Sequence, residues 1–299
     1  MRRSLVALVL GVLCALPAIA QDAVWRGNGV LAGGKGYIAT PMGSVHYRDI
    51  GPHDTAVPFL LLHQSPWSMI EFAEIQNAIA AQGYRVITLD TPGYGMSDMP
   101  KGVPTIADYA ENLVPLLDAL KIKKVVLGGH HTGAAIAVAF AARHPDRVAA
   151  MVVHGLPYYS PEERAERLKR PETDRTLKAD GSHLGDVYKG AVKASGDPAA
   201  FDSMRNATWQ TIDLYRFEQD IGHHAAFAYD MEPDLKKIAA PTLVLSDTKD
   251  TLRAMDQRAG KLRPDFELRD FSQGMLSLMN EPQRWADTAV AFAKAHPAK

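Results

Sequence analysis

Apolar residues along the chain gather into short runs, and the stretches between the runs carry them at every third or fourth position. Phe59 to Leu62, Arg85 to Leu89, Lys124 to Leu127, Val148 to Val153, Thr242 to Leu245 and Phe266 to Arg269 are the runs. Segments of that length, bounded by turn residues, predict strands, most of them buried on both faces. Phe72 to Ala81, Ile106 to Leu120, Ala134 to Arg143, Leu252 to Leu262 and Trp285 to Ala295 have helical spacing. Strands alternating with helices predict a mostly parallel sheet covered on both faces. Ahead of them, Tyr37 to Thr40 and Ser44 to Ile50 flank Pro41-Met42-Gly43, a hairpin signal, which brings the expected sheet to eight strands. From Pro157 to Pro233 the rhythm stops. That stretch is charged and aromatic, with helical patterns and no clear strand, and predicts a helical insertion over the sheet. No repeat or low-complexity segment interrupts the pattern.

Composition changes this picture only at the start of the chain. The 299 residues are 46% hydrophobic and 22% charged with a net charge of -1, ordinary globular values. There is no basic stripe to suggest nucleic acid. The first twenty residues differ: Arg2 and Arg3 precede the apolar run Leu5 to Leu16, and Ala18-Ile19-Ala20 is a small-x-small site before Gln21. The run is too short to span a bilayer, so residues 1–20 read as a cleaved export signal and the mature chain as periplasmic or secreted, without stable membrane insertion. Cleavage would remove Cys14, the one cysteine, leaving neither disulfide nor thiol nucleophile.

Ligands of an open α/β sheet bind at the carboxyl ends of its strands, so the chemistry is sought there. After Leu62 comes His63-Gln64-Ser65-Pro66-Trp67-Ser68, and after Leu89 comes Asp90-Thr91-Pro92-Gly93-Tyr94-Gly95-Met96-Ser97-Asp98. After Leu127 comes Gly128-Gly129-His130-His131-Thr132-Gly133. A sharp strand-to-helix turn needs flanking residues without bulk, which Gly129 and Gly133 supply, and it lifts the residue between them, His131, into the cleft. In order and spacing the three segments resemble the α/β-hydrolase superfamily, and most closely its cap-bearing branch of epoxide hydrolases, haloalkane dehalogenases and C–C bond hydrolases. The resemblance implies a core at 21–156 and 234–299 and a helical cap at 157–233. It implies an oxyanion hole from the backbone N–H groups of Ser65 and Thr132, and an acid at Asp250 in Asp247-Thr248-Lys249-Asp250. The residues depart from the pattern twice. His131 stands where a serine, aspartate or cysteine nucleophile belongs, and Met275 stands where the histidine base belongs.

Without an elbow hydroxyl or a base in its usual place, an ordinary acyl-enzyme mechanism loses its parts. An imidazole is longer than a serine side chain. With flexible Met275 in the gap, one ring nitrogen of His131 is expected to reach Asp250 while the other faces the cleft. That dyad is suited to general-base work on water or on a substrate C–H or O–H, and the helix N-terminus is expected to lower the imidazole pKa. The predicted function is thus an exported enzyme acting on a small, mostly apolar carbonyl- or ester-type substrate. A ligand-binding homologue that has lost catalysis, and a lyase or isomerase on the same scaffold, remain alternatives. His63, Gln64, Trp67, Met275, Tyr158 and Tyr159 are expected to line the cleft. His130 and His154 are expected to be packing residues; adjacent histidines on a sharp turn should diverge, so no metal site is expected. No dinucleotide or phosphate fingerprint is present, so no organic cofactor is expected.

Overall fold

The computed structural model describes residues 34–54, 57–170, 176–194, 201–214, 220–274 and 277–298. In chain order the elements begin with β1 (Gly34–Thr40), β2 (Gly43–Ile50), β3 (Phe59–Leu62), a 3-10 turn (Met69–Phe72), α1 (Ala73–Ala80) and β4 (Val86–Leu89). They continue with α2 (Ile106–Glu111), α3 (Leu113–Ala119), β5 (Val125–His130), α4 (Thr132–Arg143) and β6 (Val148–His154). Between β6 and the next strand lie α5 (Pro161–Arg167), α6 (Ser182–Ala194), α7 (Phe201–Leu214), α8 (Ile221–Ala228) and α9 (Glu232–Leu235). The chain closes with β7 (Thr242–Asp247), α10 (Arg253–Leu262), β8 (Glu267–Ser272), α11 (Ser277–Asn280) and α12 (Pro282–Ala295). The eight strands form one sheet in the order β1-β2-β4-β3-β5-β6-β7-β8. Only β2 runs against its neighbours β1 and β4; the other pairs are parallel. This is the α/β-hydrolase fold.

Alternation along the strands divides the core. Leu60 and Leu62 of β3, Ile87 and Leu89 of β4 and Leu127 of β5 face one side, beneath α2, α3, α4 and α10. Phe59, Leu61, Val86 and Val126 face the other side and pack with Phe72, Ile75, Ile79 and Trp285 of the 3-10 turn, α1 and α12. Successive side chains of a strand point to opposite faces, so a fully apolar run serves both layers. The segment expected as one helix from Ile106 to Leu120 is two, broken at Asn112. Pro115 has no N–H to give to the carbonyl of Glu111, and its ring crowds that turn. A capping box at Thr105, with Asp108 answering, starts α2. Over the sheet's carboxyl edge, α8 packs against α2, α4 and α5. No helix of the described residues is long and apolar enough to cross a membrane; residues 1–20 lie outside them.

Candidate active site

The turn from β5 to α4 sets the site. His131 has φ 45 and ψ -109, a backbone conformation that ordinary residues avoid. Its N–H donates to the carbonyl of His154 at 3.1 Å, and its own carbonyl accepts from the N–H of Ala135 at 3.0 Å. The flanking glycines are required by contact. A Cβ on Gly129 would meet the backbone of Gly133, and one on Gly133 would strike the carbonyls of Leu62 and His63. Gly128 leaves room for Leu61 and Trp285 below. The outcome is an imidazole raised at the N-terminus of α4 with its side chain 18% exposed.

His131 Nε2 lies 2.7 Å from Asp250 Oδ2. Asp250 sits in the turn after β7, its side chain 1% exposed, and its Oδ1 accepts the N–H of Leu252 at 2.8 Å. Gly155 closes the pair from beneath. It has φ +66, and a Cβ there would lie 2.5 Å from His131 Cδ2 and 3.3 Å from Asp250 Oδ2. Burial pushes the carboxyl of Asp250 up, but the charge and hydrogen bond of His131 outweigh it and hold the acid well below its usual range. For His131, burial pushes downward, and Asp250, helped by Glu71 and Asp256, more than reverses this, so its pKa is raised. The expected lowering by the helix terminus is therefore corrected: a buried full charge at 2.7 Å outweighs about half a charge spread over the end of a helix.

A second buried chain of polar groups supports the elbow. Glu71 accepts from the N–H of Gln64 at 2.9 Å, from Gln64 Nε2 at 2.8 Å and from His130 Nδ1 at 2.6 Å. Burial lowers the His130 pKa; burial pushes the Glu71 carboxyl up, but the charge and hydrogen bond of His130 and the N–H of Gln64 outweigh it and hold the acid below its usual range. The His130 ring in turn lies against His131, with centroids 4.2 Å apart. His63 is fixed likewise. Its Nε2 accepts the N–H of Thr91 at 2.9 Å, so Nδ1 carries the proton it donates to the carbonyl of Gln64 at 2.7 Å.

A cavity of about 100 Å³ opens over this pair, walled by His131, Thr132, Pro157, Tyr159, Arg167, His223, Ala226, Phe227, Thr251 and Leu252. Of the six side chains expected to line the cleft, Tyr159 stands in the wall of this cavity. Four others are corrected. The Gln64 amide is spent on Glu71, away from the cleft mouth. His63 is buried in the ties just described. Trp67 is 1% exposed and packs in the lower core with Phe59 and Phe72. Tyr158 turns its hydroxyl to Glu232 at 2.7 Å. The sixth, Met275, lies outside the described residues. Ser65 is buried in the loop after β3 and Thr132 opens α4. Sequence reasoning missed Glu71, Gly155 and Asp256. Asp256 is buried on α10, accepts from Leu156 N–H and Ser246 Oγ, and is pushed up to about 7 by burial. A single acid inside an apolar stretch was the available signal for Glu71.

The adjacent histidines do not diverge as expected, because both rings fold to the same side of the elbow. One ligand atom each of His130, His131 and Asp250 falls within 4.8 Å of the others. The closest of these approaches is the hydrogen bond between His131 and Asp250. A larger cavity of about 550 Å³ lies by β1 and β2, with Tyr37, His46, Arg48 and Trp209 in its wall. It shares no wall residue with the cavity over His131.

Residues 57–214 match the family described as alpha/beta hydrolase fold. The chain belongs to that family and is a hydrolase of the α/β fold. Over 233 residues it is 30% identical to the 2-hydroxy-6-oxononadienedioate/2-hydroxy-6-oxononatrienedioate hydrolase of Paraburkholderia xenovorans (strain LB400), covering 71% of this chain and 76% of that one. Among the solved structures that share its fold are an esterase and an epoxide hydrolase. A thermophilic esterase from Thermogutta terrifontis has a TM-score of 0.71 at 21% identity, covering 89% of this chain and all of its own. An epoxide hydrolase from Vigna radiata has a TM-score of 0.73 at 16% identity, covering 88% and 98%.

Proposed function

We propose that this hydrolase uses His131 as a general base on water, against a small, mostly apolar carbonyl- or ester-type substrate, without a serine acyl-enzyme. The observation that carries the proposal is the 2.7 Å bond between His131 Nε2 and Asp250 Oδ2. The ionised carboxylate fixes the proton on Nε2, which leaves the lone pair of the neutral ring on Nδ1. Water gives a proton to Nδ1 as its oxygen bonds to the substrate carbonyl carbon, and the carbonyl electron pair moves to oxygen. The N–H of Thr132, in the wall of the cavity, and that of Ser65 are assigned to that developing charge. Collapse of the adduct breaks the bond to the leaving group, which takes the proton back from Nδ1. The esterase fold neighbour and the curated hydrolase relative support carbonyl chemistry.

The test is turnover of short-chain p-nitrophenyl esters by His131→Ala. Loss of about 10²–10⁴-fold is expected from removal of a positioned base. Because that change strands a buried carboxylate, it is paired with His131→Ala/Asp250→Asn, which leaves no orphan charge. A double variant that folds by circular dichroism and still turns over at the wild-type rate would falsify the proposal. Export is proposed too, on Arg2-Arg3, the run Leu5 to Leu16 and Ala18-Ile19-Ala20. The mature chain is expected to begin at Gln21 by mass spectrometry of protein recovered from outside the cytoplasm.

A further inference from the structure

We propose that Arg167, with His223 beside it, forms an anion subsite over His131, so that the substrate carries a carboxylate beyond its reacting carbonyl. The proposal rests on the reading of His131 as the base and names the substrate class for it.

Both side chains wall the cavity that His131 opens into. Arg167 ends α5, and its guanidinium carbon lies 4.2 Å from the ring centroid of Tyr159 and 5.4 Å from that of Phe227. Stacking of this kind holds a guanidinium in place while leaving its N–H edges unspent. The carboxylates nearby have partners of their own. Glu163 takes Arg258 at 2.7 Å, Asp220 takes His223 Nδ1 at 2.5 Å and Asp250 takes His131. Among the described residues no carboxylate is in an ion pair with Arg167, although Glu163, one turn back on α5, feels its charge. His223 stacks on the same Phe227, at 5.5 Å and 14°. With Nδ1 committed to Asp220, its Nε2 is the free edge. Phe227 therefore carries a cation on one hand and an imidazole on the other.

Size sharpens the class. The cavity is small, about 100 Å³, which suits a short acyl group between the two ends. The acid half of a hemiester spans it, and a short 2-oxo acid, which has no leaving group, offers the same carbonyl and carboxylate as an unreactive probe. The carboxylate would meet the planar fork of Arg167 while the carbonyl meets His131.

The test is calorimetric binding of 2-oxobutanoate and of its neutral amide to the full chain. Wild type is expected to prefer the acid by about tenfold, with the preference falling as salt is raised. Arg167→Gln should lose that preference while binding the amide as before, and Arg167→Lys should restore part of it. Equal affinity for acid and amide in wild type, or no binding of either, overturns the subsite. So does an Arg167→Gln variant that weakens both ligands alike, because that marks a packing role. His131→Ala should keep the preference. If that variant kept turnover as well, the base would be elsewhere and the subsite would stand.

Discussion

At the scale of the residue, one hydrogen bond decides what the elbow can do. Asp250 orients the ring of His131, fixes its protonated nitrogen and raises its pKa. A base with a raised pKa is more basic but is free of its proton only at higher pH. The rate at subsaturating substrate is therefore expected to climb with pH through a midpoint above the ordinary 6.5 of histidine. Asp250→Asn removes the charge that raises the pKa, while burial, which lowers it, remains. The midpoint should move to lower pH, and the plateau should fall by about 10²-fold or more as the ring loses its tautomer control. Stopped assays from pH 5 to 9 on both proteins check this, and an unmoved midpoint in Asp250→Asn would show that another group is titrating. Both members of the pair were legible in the sequence, because each sits on a feature that geometry fixes: a glycine-flanked bend, and a turn after an apolar strand. The direction of the pKa was not, since it depends on a separation between residues 119 positions apart.

At the scale of the element, the loop after β3 and the 3-10 turn that follows behave as a brace for the elbow. Gln64 and Glu71 hold one another, and Glu71 holds His130 from below. The strands were readable because runs such as Phe59–Leu62 serve two cores at once, and two-sided burial leaves an unbroken apolar signature. The loop was misread because sequence position says nothing of the direction a side chain takes. Gln64, Trp67 and Tyr158 follow strand ends, yet each turns toward a partner inside the protein. Trp67 gives the clearest contrast. A cleft-lining tryptophan removed to alanine would raise KM and leave stability nearly alone. A core tryptophan costs about 3–5 kcal/mol. With 1% exposure among Phe59, Leu61 and Phe72, Trp67→Ala is expected to lose stability on that order in urea unfolding. Fully folded fractions should keep the wild-type KM. A rise in KM with no loss of stability would return Trp67 to the cleft.

At the scale of the whole molecule, the buried ionisable groups pull stability in opposite directions along the pH axis. Asp250, Glu71 and Asp247 have pKa values lowered by the fold. Their contribution is present above the ordinary carboxylate range and is lost as pH falls through their folded values. His131 has a raised value, so its contribution is whole below 6.5 and is lost as pH climbs through the folded pKa. Asp256 acts in the same sense as His131. Its carboxyl, pushed from 3.8 up to about 7 by burial, stabilises the fold while neutral and progressively ceases to across that interval. Melting temperature should therefore peak at mildly acidic pH and decline toward alkaline pH. Asp256→Asn isolates the second cause. An asparagine can still accept the N–H of Leu156 and pair with Ser246, but it has no charge to bury. The variant should melt about a few degrees above wild type at pH 8 and show no gain at pH 4. A gain of equal size at both values would mean improved packing rather than relief of a buried charge, and a loss at pH 8 would mean that the ionised carboxylate is itself a support. The same variant removes one of the charges raising the His131 pKa. Its activity profile should then shift slightly toward lower pH, and by less than that of Asp250→Asn, because Asp250 touches the ring and Asp256 acts on it from a distance.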